Sequence, residues 1–559
     1  MAHGVAGEKA GTYDLIIIGG GIHGAALLWE AASRGLHALL LEQEDFGSAT
    51  SANSLKIIHG GIRYLQDFDI PRLRVAARER GALLRIAPHL VEPLTCIMPT
   101  FRSLARGRFA IRGAFALYDL LTMDCRKGLD PQRRIAGCRL LSREEFLRYL
   151  PWLDTPEVSG GACWQDARAW NTERLVLAFV LSAVSAGAVA SNYTRAEHLL
   201  MDAGRVTGVA ARDIHSDMVR IVSAPLVVDC RGPWQGAPLA PGAGLSHPRF
   251  ARAYNLLLRR PLAGIAFGVQ APLENGSRLL FCTPWRGGSI VGTWYDRRQV
   301  SPDDLSLDEA DISMCLAQVN RALPGIDLKR EEVMGIHVGL LPCTAEDDGR
   351  TGEPRLEKQH RILQPAPGLI LVQGVKYTTA RFVAEEVVNS HVAPALGRRL
   401  PPSRTRTLPL YGGDIEDMGE WQNEIVARYG ARFPRPVLER LMRNYGSRLT
   451  AIMHLVEENP ALGEYIAGMR DTIQAEVVHA VTQEQAQTLS DVLLRRTDMG
   501  SLGPLPQETL RHCCRIMAPY LGWDVQRQDA EIRANEVRCG HVAFRAGQAL
   551  ERRPRCEGR

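Results

Sequence analysis

Lysine is nearly missing from this chain. Of its 67 basic residues only Lys9, Lys56, Lys127, Lys329, Lys358 and Lys376 are lysines, so a lysine inside a motif draws notice. Charge of one sign is also scarce: the net value is +5, too mild for a nucleic-acid binder. The 12 cysteines form no CxxC pair, and Cys513–Cys514 are adjacent, a poor spacing for a metal or redox site. That usage fits a reduced, cytosolic chain without structural disulfides. Long apolar runs are lacking too. The longest uncharged stretch, Leu175–Thr194, is diluted by Ser182, Ser185, Gly187, Ser191 and Asn192, and reads as a buried helix rather than a span. The opening MAHGVAGEKAGTYD has no apolar stretch of the signal-peptide kind. Repeats and low-complexity tracts are absent as well.

What remains is a globular chain: 559 residues, 45% hydrophobic and 23% charged, enough for one large composite domain and a smaller one. Tyr13–Ile18 is a short apolar run, followed by a glycine cluster, a helical pattern to Arg34, a stop at Gly35 and a second apolar run ending at Glu42. This reads as a βαβ unit. Apolar strands such as Leu226–Asp229, Ser289–Gly292 and Leu369–Val372 continue the alternation to about Arg399. The segment Gly397–Leu410, rich in Pro and Arg, reads as a linker. Beyond it the pattern turns helical, over Arg435–Tyr445, Ser447–Glu457, Gln474–His479, Gln483–Leu493 and Glu508–Leu521.

Gly19-Gly20-Gly21-Ile22-His23-Gly24 fits G-x-G-x-x-G between that first strand and helix. Gly19 permits the tight turn, Gly21 a close approach of backbone to a pyrophosphate, and Gly24 close packing of helix on strand. The helix N-terminus presents free N–H groups and a positive partial charge to phosphates. Glu42 ends the second strand, where a carboxylate can accept from a ribose hydroxyl. A dinucleotide site follows, and its place near the start of a long chain favours FAD over NAD.

The residues Gly47-Ser48-Ala49-Thr50-Ser51-Ala52-Asn53-Ser54-Leu55-Lys56-Ile57-Ile58-His59-Gly60-Gly61-Ile62-Arg63-Tyr64-Leu65 closely resemble the FAD-dependent glycerol-3-phosphate dehydrogenase family, with its K-x-I-H-G-G-x-R-Y-L. The resemblance returns at Asp229-Cys230-Arg231-Gly232-Pro233-Trp234, at Gly374-Val375-Lys376-Tyr377-Thr378-Thr379-Ala380-Arg381, and around Tyr445–Arg448 and Ala475–Val481. It implies an α/β fold: a Rossmann-type FAD-binding region with an inserted mixed-sheet substrate region, plus an all-α C-terminal domain. We place an oxidoreductase domain at 1–400, with FAD-binding parts at about 12–100, 155–240 and 345–400 and a substrate part at about 241–344. The helical domain falls at 410–545. Ser48, Thr50, Ser51 and Ser54 suit a diphosphate and ribityl chain, and Lys56, Gly232, Trp234, Gly374, Thr378 and Thr379 join them as flavin contacts. His59-Gly60-Gly61 would bring backbone against the isoalloxazine. Lys376 or Arg63 would hold negative charge on reduced flavin or substrate.

The implied reaction oxidises the secondary alcohol of glycerol 3-phosphate, or of a similar small anion, to the ketone. Hydride passes to flavin N5, and electrons then pass to a membrane quinone. The family's G-x-R-P is here Gly339-Leu340-Leu341-Pro342, so Leu341 stands for the arginine that meets the substrate phosphate. Asn255 stands where the family's K-G-x-H has histidine, and the stretch Trp164–Arg174 departs as well. Arg63, Tyr64, Arg168, Arg252 and Asn255 are left as substrate contacts, and His59 or His337 as base. A relative acting on another hydroxy acid, polyol or amine stays open, as does a catalytically silent flavin-binding module. Arginines 102, 106, 108, 112, 126, 133 and 134 with Lys127, among Phe101, Phe109, Ile111, Phe115 and Leu117, are compatible with docking on anionic lipid or with a solvated helical face. The expected place is the cytoplasm, free or peripheral on the inner face of its membrane.

Overall fold

The computed structural model describes residues 13–540 apart from 103–107, 237–238, 240–248, 274–275, 297–301, 303–304, 306 and 348–352. Three sheets and a helical region build it. In the first sheet, strands Leu369–Gln373, Val227–Asp229, Leu15–Ile18, Ala38–Leu41 and Val189–Ser191 run parallel in that order, and Arg361–Ala366 is the antiparallel edge. Leu15–Ile18 and Ala38–Leu41 are buried throughout, as strands covered on both faces must be. Helices Ile22–Ser33, Thr172–Ser185 and Ala380–Val387 pack in one hydrophobic core with this sheet. The long uncharged stretch is thus a buried helix followed by a strand.

A ten-stranded mixed sheet forms the second layer. It takes strands from residues 249–347 and also Val91–Phe101 and Val158–Ala169 from earlier in the chain. Its strands Arg249–Leu258 and Val333–Asp347 pair antiparallel, so Asn255 lies directly opposite His337. Period-2 alternation then sorts the side chains. Tyr254, Leu256, Ile336, Val338 and Leu340 enter the core beneath helix Glu309–Ala322. Asn255, His337, Gly339 and Leu341 line the opposite face. A small antiparallel sheet of Thr194–Asp202, Arg205–Asp213 and Val219–Ser223 completes the α/β part.

The linker segment has no regular element but is pinned. The Thr405 hydroxyl donates to Glu30 at 2.6 Å, and the Leu410 N–H to the Ile86 carbonyl at 2.8 Å. Helices Met418–Tyr429, Arg435–Tyr445, Leu449–Glu458, Gln474–Gln483, Gln507–Leu521 and Val525–Gly540 follow. The helix read at Gln483–Leu493 is instead a loop leading to a wide turn at Asp491–Arg496. Within it Arg495 and Arg496 pair with Asp45 of the α/β part, and Asp491 accepts from the Tyr193 hydroxyl at 2.7 Å. Among the described residues no helix is long and apolar enough to cross a membrane.

Candidate active site

The glycine turn has the geometry its spacing demands. Gly19 sits at φ +103°, and a Cβ there would meet the Cys230 carbonyl at 2.8 Å. A Cβ on Gly24 would lie 1.9 Å from the Gly19 carbonyl oxygen, so helix and turn touch only because Gly24 lacks a side chain. Gly21 precedes helix Ile22–Ser33 without a side-chain cap, and a Cβ on it would meet only Ser51 Oγ at 3.3 Å. Ser51 Oγ accepts from the Ile22 N–H at 3.0 Å, which ties the serine-rich segment to the helix start. Gly232, at φ +56°, likewise faces open space. An open helix N-terminus with two bare glycine faces is a cradle of the size and polarity that a dinucleotide pyrophosphate fits.

Glu42 accepts from the Gly20 N–H at 2.6 Å and the Glu44 N–H at 2.8 Å. Burial pushes its carboxyl up to about 7, and these two bonds pull the other way. His23 is half-buried beside this turn with its Nδ1 buried and unpartnered, and desolvation brings it down to about 4, so it is neutral at pH 7. Ser48 Oγ donates to Glu44 at 3.2 Å, Ser54 Oγ accepts from the Lys56 N–H at 3.1 Å, and Thr50 Oγ1 accepts from the Leu340 N–H at 3.2 Å. The segment is therefore stitched to both layers.

The Lys56 ammonium and the Cβ sides of Gly60, Gly61 and Gly374 are engaged within the chain. All three Lys56 N–H donors are used, by the Ala52 carbonyl at 2.7 Å, Thr172 at 2.8 Å and Glu173 at 2.9 Å. That ammonium locks the motif to helix Thr172–Ser185 and has nothing left to donate. The missing side chains of Gly60, Gly61 and Gly374 leave space that Arg80, Ala76 and the His23 ring occupy. On that side these glycines pack the chain on itself. Trp234 is half-buried in the turn Gly232–Gly236, Thr378 is buried, and Thr379 opens helix Ala380–Val387.

Beside the cradle the structure gathers a polar, cationic cluster. Lys376 Nζ donates to the Tyr64 hydroxyl, Arg72 stacks on the Tyr64 ring at 5.0 Å, and Arg63 is exposed on the same turn, Ile62–Asp67. Burial, then Arg72, brings Lys376 down to about 8. Tyr295 feels the charge of Arg63 and hydrogen-bonds Thr293, whose hydroxyl donates to Asn255 Oδ1 at 2.8 Å. Neither Thr293 nor Tyr295 stands out in the sequence.

His59 and His337 have opposite environments. His337 Nδ1 lies 3.1 Å from the Ser54 carbonyl, and burial followed by Lys56 brings it to about 3. A group that acidic is a feeble base at neutral pH. His59 is exposed, with Nδ1 3.3 Å from Asp166. Asp166 is buried, accepts from the Gly60 N–H at 2.6 Å, and lies 3.3 Å from both Arg80 and Trp164 Nε1. Burial pushes its carboxyl up, but His59, Arg80 and that N–H together hold it below the usual range. An ionised Asp166 fixes Nδ1 as the donor and leaves Nε2 to accept a proton.

Arg168 and Arg252 do not reach this cluster as free cations. Arg168 is held by Glu92 and by the Pro284 carbonyl at 2.6 Å. Arg252 lies one strand position out of phase with Asn255, which turns it through the sheet to Asp296 at 2.6 Å and Asp311 at 3.4 Å. Leu341 shares the face of Asn255 and His337.

A phosphate-ready glycine turn on a parallel sheet, opening on a polar cluster beside a mixed sheet, defines an FAD-dependent oxidoreductase. The comparisons agree: residues 14–389 match the FAD-dependent oxidoreductase family, and residues 403–528 match the C-terminal domain of alpha-glycerophosphate oxidase. A glycerol-3-phosphate dehydrogenase of Synechocystis sp. is 31% identical, covering 93% of this chain and 95% of that one. Glycerol-3-phosphate dehydrogenase 2 of Mycobacterium tuberculosis is 29% identical, covering 94% and 88%. The solved glycerol-3-phosphate dehydrogenase of Bacillus halodurans, complexed with FAD, shares the fold at TM-score 0.74 and 23% identity, with 97% of each chain covered. The chain belongs to the FAD-dependent glycerol-3-phosphate dehydrogenase family.

Proposed function

We propose that this protein oxidises the secondary alcohol of glycerol 3-phosphate, or of a small anion shaped like it, to the ketone. The observation that carries this reading is the cluster Lys376–Tyr64–Arg63, joined through Tyr295 and Thr293 to Asn255. Its cations attract and orient an anionic substrate, and the partial burial of Lys376 strengthens that attraction. FAD supplies the hydride acceptor. His59 Nε2 takes the hydroxyl proton, while Asp166 holds the imidazole in the required tautomer and stabilises it once charged. Asn255 offers a carboxamide N–H to a substrate oxygen but no base.

The test is anaerobic mixing of the yellow holoprotein with candidate substrates while flavin absorbance is followed. Glycerol 3-phosphate should bleach it far faster than glycerol does. No bleaching with any polyol phosphate, alongside bleaching with an amine or plain hydroxy acid, would defeat the reading. Leu341 and Asn255 on one sheet face favour a second reading, a related substrate with a weaker demand on the phosphate pocket.

The acceptor we propose is a quinone reached at an anionic membrane surface. Helix Arg108–Thr122 exposes Phe109 (92%), Leu117 and Leu120, with Phe68, Phe101 and Met123 exposed nearby and Arg102 and Arg112 for lipid headgroups. Arg106 lies outside the described residues. Sedimentation with vesicles containing anionic lipid, compared with neutral vesicles and with Phe109→Asp, tests this docking.

A further inference from the structure

We propose a second anion-binding site, for inorganic phosphate or a phosphate monoester, where the mixed sheet meets the helical region. Arg443 and Arg286 are its donors and Trp170 its floor. Three guanidinium carbons gather on the Trp170 indole, those of Arg443 at 3.9 Å, Arg168 at 4.6 Å and Arg286 at 5.8 Å from the ring centroid. Their hydrogen-bond donors are not all matched. Arg168 is satisfied by Glu92 and the Pro284 carbonyl. Arg286 reaches Asp498 through NH1 alone, and its Nε and NH2 are buried without a hydrogen-bond partner. Asp498 is shared at 3.9 Å with Arg440, which Glu476 already pairs. Arg443 makes no hydrogen bond or ion pair among the described residues.

Burial opposes the charge of Arg443; Glu92 and Glu439 offset part of this without hydrogen-bonding it, and Arg168 and Arg286 add repulsion. A guanidinium cannot relieve this by losing a proton at physiological pH, and an external anion would supply the hydrogen bonds these carboxylates do not make to Arg443. The free edges of two planar forks match the tetrahedral oxygens of a phosphate. Arg443 and Trp170 are half-buried, which leaves the cluster open to solvent.

This place is distinct from the catalytic cluster. The Trp170 carbonyl accepts from Trp285 Nε1 at 2.9 Å, and the Trp285 ring meets His337 at 5.8 Å and Arg286 at 4.9 Å. An anion here would sit behind the wall that carries His337, and not among Arg63, Tyr64 and Lys376.

Titration of the holoprotein with inorganic phosphate by calorimetry tests the site. Binding should weaken at least about tenfold in Arg443→Met and in Arg286→Met, less in Arg443→Lys, and should persist in Lys376→Met. Absence of phosphate binding in the unaltered protein would overturn the proposal. So would binding that survives both arginine-to-methionine changes, or that Lys376→Met alone removes.

Discussion

Replacing Asp45 by alanine should loosen FAD although Asp45 lies three residues beyond Glu42, which holds the glycine turn. Its carboxylate is fully buried and bonds Arg495 Nε at 2.5 Å, Arg496 at 2.7 and 2.8 Å, and Asn192 at 3.1 Å. Burial pushes the Asp45 carboxyl up, but Arg496 and Arg495 outweigh it and hold it far below the usual 3.8. Removing one partner of such a buried group costs about 3–5 kcal/mol, because the opposite charges are stranded. Here Arg495 keeps Asp491 at 2.5 Å and Arg496 keeps the Glu484 carbonyl at 2.9 Å, which argues for the lower end. About 3 kcal/mol is roughly a hundredfold in an equilibrium constant. The loss falls on the loop Glu42–Asp45, whose backbone pairs with Tyr193 and Thr194 and whose Glu42 holds the Gly20 N–H. Flavin release from the holoprotein, followed by recovery of FAD fluorescence in urea, should shift to lower urea in Asp45→Ala. Hydrogen exchange should quicken around 484–498. An unchanged release curve together with unchanged exchange would refute the argument. The contribution should be present above the ordinary carboxylate pKa and fade as pH falls below it toward the depressed folded value.

Gly21→Val should abolish FAD retention by filling the cradle, and full flavin occupancy in that variant would refute the assignment of the turn. Lys376 loses its proton near pH 8, so KM for an anionic substrate should climb above that pH with kcat less affected, and the climb should vanish in Lys376→Met. Since the folded value lies below the ordinary 10.5, the buried ammonium costs stability below about pH 8, and this cost fades between there and 10.5. Asp166→Asn should lower kcat by about 10²-fold or more with flavin content intact and the pH profile displaced; equal kcat would remove His59 from the proton-transfer role. Leu341→Arg adds one charge-assisted hydrogen bond if the phosphate sits beneath that strand, about 1.5–3 kcal/mol, or roughly ten- to hundredfold in KM for glycerol 3-phosphate. An unaltered KM would place the phosphate elsewhere.

The parts of the site legible in the sequence are those whose chemistry is local. Gly19, Gly21, Gly24 and Glu42 lie within one βαβ unit, and their spacing alone sets a turn, a helix start and a strand end. Lys56 was legible as unusual but not in its role, because its partners Thr172 and Glu173 arrive from a helix more than a hundred residues away. Gly60 and Gly374 show the same limit. A glycine in a motif signals close approach, but not whether a cofactor or the chain's own Arg80 or His23 does the approaching.

Arg252 carries the sharpest lesson. As a cation next to an expected substrate strand it qualified on chemistry, and only strand phase disqualifies it, since Asn255 and Arg252 differ by an odd number of residues and so face opposite sides. That parity could have been read from the strand itself, where Tyr254, Leu256 and Leu258 already mark the core side. Asp166 is the converse case. The aspartate was visible in a stretch that departs from the family, yet nothing nearby announced His59, Gly60 and Arg80 as its partners, because antiparallel pairing with residues 57–58 and 91–101 brings them together. The same sheet faces explain why the two departures belong together. Leu341 and Asn255 project from neighbouring strands onto one sheet face, four residues apart in register, so both departures fall on the same surface. The turn and strands that would hold FAD are untouched by either change, and specificity can therefore drift while hydride chemistry is retained.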